Sequence, residues 1–180
     1  MKLSSKSSLS SALVIKRVSV GEADRIITLL TRESGKIVVV AKGVRKIKSS
    51  KRAFLEPGNL AKIFLIKTKG LPILTQASLI EDTAAIRGDL AKIRQLTQLL
   101  EIIDKLFVEE EVEDHVFELV MGVRGKILAG NGVGLKGDLA QLIEWLGFPN
   151  LAESGHESIL DYVSEITGKK MRSFEFLKVK

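Results

Sequence analysis

With no cysteine anywhere in its 180 residues, the chain can form neither a disulfide nor a thiolate metal site, and a cysteine nucleophile is excluded. Histidine is nearly absent as well. His115 and His156 stand alone, far apart in sequence and outside any ligand spacing such as H-E-x-x-H, so each reads as a surface or capping residue. Apolar runs are only a handful of residues long, too short to span a bilayer, and no membrane is expected as a partner. Met1 and the residues up to Ser11 are basic and serine-rich with no central apolar run. That rules against a secretory signal and leaves a short flexible arm as the expectation. Aromatic residues make up only 5% of the chain.

Positive charge is plentiful, and it is unevenly placed. Residues 1–80 carry 16 Lys+Arg against 4 Asp+Glu, while residues 81–180 carry 12 against 18. The first half is therefore strongly cationic and the second acidic, which suggests two modules with different partners. The charge concentrates after a predicted hairpin. Two apolar-rich runs meet at Glu33-Ser34-Gly35-Lys36, where Ser-Gly supplies turn chemistry. The second run then enters Lys42, Arg45, Lys46, Lys48, Lys51 and Arg52, six cations in eleven residues with no acid between them. A charge run is commonly a solvated loop. Here Arg25, Arg32 and Lys36 lie on the same hairpin, and cations crowded without a counter-charge point to a polyanion.

The β-branched pattern predicts strands at 12–20, 24–32, 36–41, 60–66 and 73–80, with turns at Glu56-Pro57-Gly58-Asn59 and Lys69-Gly70-Leu71-Pro72. Five short strands in about eighty residues suggest a small closed barrel, because closure removes exposed edges. From Asp82 the period changes to three or four. Leu90, Ile93, Leu96, Leu100, Ile103 and Phe107 form a stripe capped by Asp89. A second helix carries Val116, Phe117, Val120, Val123 and Ile127 from Asp114, a third runs from Asp138 to Gly147, and a fourth spans 157–167 with Ile159, Leu160, Val163 and Ile166 on one face. The expected fold is α+β, with a five-stranded barrel domain at 1–81 and an all-α domain at 82–180.

Motifs for catalysis are missing. Gly132 to Gly137 has the G-x-G-x-x-G spacing, but the preceding residues read as helix rather than strand, so a flexible connection over 130–137 is the better reading. No G-x-x-x-x-G-K-[ST] occurs. The acidic run 109–114 lacks the glycine and ligand spacing of a calcium loop. A groove using Leu96, Leu100, Val120 or Trp145 stays unassigned, since such stripes are commonly core. Nothing assembles a nucleophile, a base and an oxyanion donor, so the chain is read as a non-enzyme without cofactor or metal. In the barrel half only Phe54 and Phe64 offer a stacking face, whereas barrels that grip single strands through their bases generally use several aromatics. Contact with phosphates is expected to dominate.

The segments Gly21-Glu22-Ala23-Asp24-Arg25, Thr28-Leu29-Leu30-Thr31-Arg32-Glu33, Gly35-Lys36, Val40-Ala41-Lys42-Gly43-Val44-Arg45, Leu55-Glu56-Pro57 and Gly70-Leu71-Pro72-Ile73-Leu74-Thr75-Gln76-Ala77, in this order and spacing, resemble the amino-terminal domain of the RecO recombination-mediator family. In the second half, Leu146-Gly147-Phe148-Pro149 and Gly168-Lys169-Lys170-Met171-Arg172-Ser173-Phe174 resemble its carboxy-terminal pattern more weakly. The resemblance implies an oligonucleotide-binding (OB-fold) barrel joined to a helical domain. It also implies binding of single- and double-stranded DNA, annealing of complementary strands, and help in loading RecA onto DNA coated by single-strand-binding protein, together with RecR, in the bacterial cytoplasm at the nucleoid. Many relatives carry a four-cysteine zinc site after the position of Pro149. This chain passes directly into Leu151-Ala152-Glu153-Ser154, so its helical domain is expected to be shortened and metal-free.

The residues expected to hold DNA phosphates are Arg25, Arg32, Lys36, Lys42, Arg45, Lys46, Lys48, Lys51 and Arg52. An adaptor whose basic face binds an acidic protein segment, or an RNA-binding barrel, remains the alternative. One consequence concerns metal. A structural zinc site needs about four suitable ligands, so adding a chelator is expected to leave the melting temperature and polyanion binding unchanged; a large drop in melting temperature would contradict this.

Overall fold

The computed structural model describes residues 7–46, 49, 51–108, 112–131 and 135–173. These divide into two compact units, one built from residues 1–83 with 108–113 and the other from 84–107 with 114–180.

In the first unit, β1 (Ser7–Val20), β2 (Asp24–Thr31), β3 (Gly35–Ala41), β4 (Leu60–Ile66) and β5 (Ile73–Glu81) form a closed barrel in the order β1-β2-β3-β5-β4. This is the OB-type architecture, and its closure depends on β1. Ser7 to Leu13 pair antiparallel with β4, and Ala12 to Val20 pair antiparallel with β2. The strand thus begins five residues earlier than the pattern predicts. Ser7 to Ser11 belong to the sheet rather than to a free arm, because their backbone groups are needed by β4; residues 1–6 lie outside the described residues. The remaining seam is short: β3 and β5 meet in parallel at Val40 and Ile73, where the Val40 amide donates to the Pro72 carbonyl at 2.9 Å.

Side chains alternate across the barrel wall with period two. Ile27, Leu29, Ile37, Val39, Ala61, Ile63 and Leu65 all face the core and are buried. The β2–β3 hairpin turns through Arg32, Glu33 and Ser34, one residue earlier in the chain than predicted. Gly35 closes it at φ 58°, a left-handed conformation suited to glycine. The Thr31 hydroxyl locks this turn by accepting from the Ser34 amide (3.1 Å) and donating to the Gly35 carbonyl (3.2 Å).

The Glu56-Pro57-Gly58-Asn59 turn does more than reverse the chain. The Asn59 side chain is buried at 2% exposure. Its Nδ2 donates to the carbonyls of Ala53 and Phe54, and its Oδ1 accepts from the amide and hydroxyl of Thr83. One amide therefore ties α1 (Lys51–Phe54) to the residues that follow β5.

The second unit holds α2 (Leu90–Leu106), α3 (Asp114–Ala129), α4 (Leu135–Trp145) and α5 (Ile159–Thr167), preceded by a short 3-10 turn at Ala84–Ile86. Asp89 caps α2, its carboxylate accepting from the amides of Ala91 and Lys92 at 3.1 Å. Val116, Phe117, Val120, Val123 and Ile127 are buried on α3 as the periodicity predicts, together with Arg124. Other expectations need correction. The buried face of α2 is Leu96, Leu99, Leu100, Ile102, Ile103 and Leu106, and Leu90 at its start is 58% exposed. Packing against both α3 and α5 widens the stripe beyond one row. Helix α4 starts three residues before Asp138, because Leu135 is itself buried; its first turn takes up Leu135, Lys136 and Gly137 of the supposed flexible connection, while residues 132–134 lie outside the described residues. On α5 the buried residues are Ile159, Tyr162 and Val163, with Leu160 and Ile166 only half-buried.

Two contacts complete this unit. The Tyr162 hydroxyl donates to the Pro149 carbonyl at 2.7 Å, and burial, then the charges of Glu165 and Glu153, push that phenol up. Glu101 on α2 accepts from the amides of Arg172 (2.6 Å) and Ser173 (2.7 Å), and the Lys105 ammonium donates to the carbonyls of Lys169 and Lys170. Burial works to raise the Glu101 carboxyl, but those two amides, the Ser173 side chain and the charge of Lys105 together outweigh it and hold the group below the ordinary glutamate range. Among the described residues no helix is long and apolar enough to cross a membrane.

Replacing Asn59 by alanine removes the hydrogen bonds that this buried side chain makes to Ala53, Phe54 and Thr83. The expected loss of stability in chemical denaturation is about 2–4 kcal/mol. A loss below about 0.5 kcal/mol, the range of ordinary surface substitutions, would mean that water replaces the side chain without penalty.

Candidate nucleic-acid interface

The cationic stretch after β3 is anchored to the barrel. Val44 and Leu55 are fully buried members of its core. Just before Val44, the Asp24 carboxylate accepts from the Gly43 amide at 2.7 Å. The Arg45 amide donates to the Ala23 carbonyl, and the Arg45 Nη1 to the Gly21 carbonyl, both at 2.9 Å. Gly43 sits at φ 64°, where a side chain would be strained. These bonds lock the turn before β2 to the turn after β3, so this stretch does not simply hang from the sheet as a solvated loop. The chain then forms the single-turn α1, and the Lys51 ammonium donates to the Thr75 carbonyl of β5 at 3.1 Å.

Lys42, Arg45, Lys46 and Arg52 are exposed at this end of the barrel, with Lys51 half-buried beside them. Lys48 lies outside the described residues. Arg25 is also at this end, paired with Ala41 across the sheet, but its side chain is buried. Arg32 and Lys36 are not part of the group. Lys36 sits opposite Leu30, five strand residues along β2 from Arg25, which is about 17 Å at the rise of an extended chain, and Arg32 lies in the turn beyond.

Arg17 joins the group although the sequence pattern passes over it. Its guanidinium forms an ion pair and hydrogen bond with Glu56. The reason it escapes notice is a bulge. With Ala12 and Val14 facing inward, unbroken alternation would put Lys16 inside and Arg17 outside. The register shifts between Val14 and Lys16, so Arg17 pairs with Ile27 on the inner face and Lys16 is exposed. The Glu56 turn holds this bulge in place: the Val14 amide donates to the Asn59 carbonyl and the Gly58 amide to the Val14 carbonyl.

Electrostatically this end is cationic and poorly compensated. Burial, and then the neighbouring charge of Arg17, push Arg25 below the usual arginine range, Glu56 works against them, and Arg52 and Arg45 add to the depression. Phe54 and Phe64, the two aromatics expected as stacking faces, are both half-buried. Among the described residues no group of three or more His, Asp or Glu side chains could hold a metal ion. His156, expected at the surface or as a cap, is half-buried, with Nε2 2.7 Å from the Glu165 carboxylate. His115 is exposed and lies edge-on to Trp145 with ring centroids 4.6 Å apart. The arrangement can hold phosphate oxygens.

Comparison with known proteins agrees with this reading of the barrel. The family described as "Recombination protein O N terminal" matches residues 6–83. A DNA repair protein RecO from Heliobacterium modesticaldum is 40% identical over 110 residues, covering 61% of this chain and 40% of the relative. Its counterpart in Bifidobacterium longum subsp. infantis is 40% identical over 112 residues, 61% of this chain and 47% of the relative. The RecO of Syntrophomonas wolfei is more distant, 27% identical, but aligns over 161 residues, 89% of this chain and 62% of the relative. The chain thus spans about half the length of the curated relatives it matches. Strand order and these matches lead to one conclusion: residues 6–83 are a RecO amino-terminal domain.

Proposed function

We propose that this protein is a non-enzymatic mediator of recombinational DNA repair, binding single- and double-stranded DNA through phosphates at the cationic end of its barrel. The carrying observation is the set of exposed cations Lys42, Arg45, Lys46 and Arg52, held by backbone locks on an OB barrel whose aromatics are half-buried. Such a surface neutralises backbones and leaves bases unstacked. Two strands held this way repel each other less and keep their pairing edges free, which is the physical basis for annealing. In this reading the protein works in the cytoplasm with RecR and the tail of single-strand-binding protein, and assists RecA indirectly by exposing DNA to it. The name carried by the relatives, DNA repair protein RecO, supports the reading.

If about four to six phosphates of a single strand are neutralised, log affinity is expected to fall against log salt with a slope of about −3 to −4. Filter binding at several salt concentrations measures it. A slope near zero would mean that stacking or apolar contact dominates. Running RNA and an acidic peptide alongside DNA separates the RNA-binding and adaptor readings.

Changing Lys42, Lys46 and Arg52 together to Glu is expected to lower affinity roughly a hundredfold at physiological salt, equally for two unrelated strands, because phosphates carry no base information. Annealing should fall in parallel while the melting temperature changes little, since all three side chains are exposed. Arg32→Glu with Lys36→Glu, at the opposite end, should cost much less. Equal losses from both ends would place DNA along the whole barrel wall, and no loss from the first variant would remove this end from the interface.

A further inference from the structure

Arg25 occupies a position that period-two alternation reserves for the core. It lies on the inner row of β2 with Ile27 and Leu29, opposite Ser19 of β1 and Ala41 of β3. The residue is only 9% exposed, and its Nε and Nη1 are out of water with no hydrogen-bond partner. A buried charged donor without an acceptor is costly. Arg17, Arg45 and Arg52 bring three more positive charges, and the carboxylate that works in Arg25's favour, Glu56, is engaged with Arg17. Arg17 reaches the same inner face only through the β1 bulge, so two arginines, from two strands, point into one end of the barrel.

We infer that this end of the barrel is a seat for a single phosphate group, taken by Arg25 from within and by Arg17, Arg45 and Arg52 around it, with Glu56 as the internal anion that competes for Arg17. The chemistry fits. A guanidinium presents parallel N–H donors that match two oxygens of a phosphate, and charge-assisted bonds of this kind are about twice as strong as neutral ones. The Nε–H and Nη1–H of Arg25 lie on different edges of its guanidinium, so one phosphate gives an acceptor to one of these two unmet donors. The seat shares the exposed cations Arg45 and Arg52 with the interface proposed above, and adds to them the buried Arg25 and the half-buried Arg17. It depends on the DNA-binding reading only for the source of the phosphate, which is either a strand's backbone or a strand's terminal phosphate.

The test uses the full chain and inorganic phosphate. At matched ionic strength, phosphate is expected to raise the melting temperature over chloride by a few degrees, as binding to the folded state alone requires. Arg25→Gln should abolish that rise, and Glu56→Gln, by freeing Arg17, should enlarge it. Phosphate affinity should fall about tenfold in Arg25→Gln. Equal protection of wild type and Arg25→Gln, or protection of neither, overturns the seat. Should Arg25→Gln fail to fold, Arg52→Gln and Glu56→Gln decide: opposite shifts in phosphate affinity, down and up, support the seat, and no shift in either overturns it. Single strands with a 5′-phosphate or a 5′-hydroxyl distinguish the sources. A preference for the 5′-phosphate that disappears in Arg25→Gln assigns a strand end, and equal wild-type affinity with a loss in the variant assigns a backbone phosphate. Wild-type DNA binding with no phosphate effect overturns the seat and leaves the function proposed above intact, whereas phosphate protection without DNA binding does the reverse.

Discussion

The barrel depends on one strand having two partners. β1 gives its first half to β4 and its second to β2, so both edges that an open five-stranded sheet would expose are joined through a single segment. A strand cannot do this while straight and flat. The bulge between Val14 and Lys16 supplies added twist and bending, and the amide of Val14 is taken up by Asn59 rather than lost. Closure, the bulge and the buried Asn59 are therefore one device, and the end of the barrel where they meet is the end that gathers positive charge.

That coincidence gives the cationic stretch its meaning. Six like charges in a free loop would spread to relieve repulsion. Here Asp24 grips the Gly43 amide, Arg45 is held by the carbonyls of Gly21 and Ala23, and Val44 is buried in the barrel. The backbone at residues 43–45 is fixed before any ligand arrives, so less ordering entropy is lost there on binding. Several residues that mark the family resemblance act in this way. Asp24, Gly43 and Arg45 hold two turns together.

The helical unit is built by different means. Its helices bury wide apolar faces, and its last described segment is held against α2 by charged side chains meeting backbone. Glu101 accepts two amides and Lys105 donates to two carbonyls, so groups left without helical partners after α5 are satisfied by side chains on α2.

Much of this was legible from residue order alone. Period-two and period-3.6 patterns located every described strand and the four longer helices, because a face that must be buried imposes its own repeat. The Asp89 cap was readable for the same reason: local chemistry acts over a few residues. The absence of cysteine and the cationic stretch after β3 needed no structure at all. What the sequence could not show depends on partners distant in the chain. Ser7 to Ser11 form a strand only because β4 needs them, and the face of α2 widened only because two helices pack on it. α1 is a single turn, too short to carry a periodic signal. Arg32 and Lys36 share a hairpin with Arg25 yet lie at its far end, since strand direction rather than sequence distance sets separation. Arg17 was hidden by a one-residue bulge that reverses which side chains face inward, and only the closed barrel decides that Arg17 and Arg25 meet.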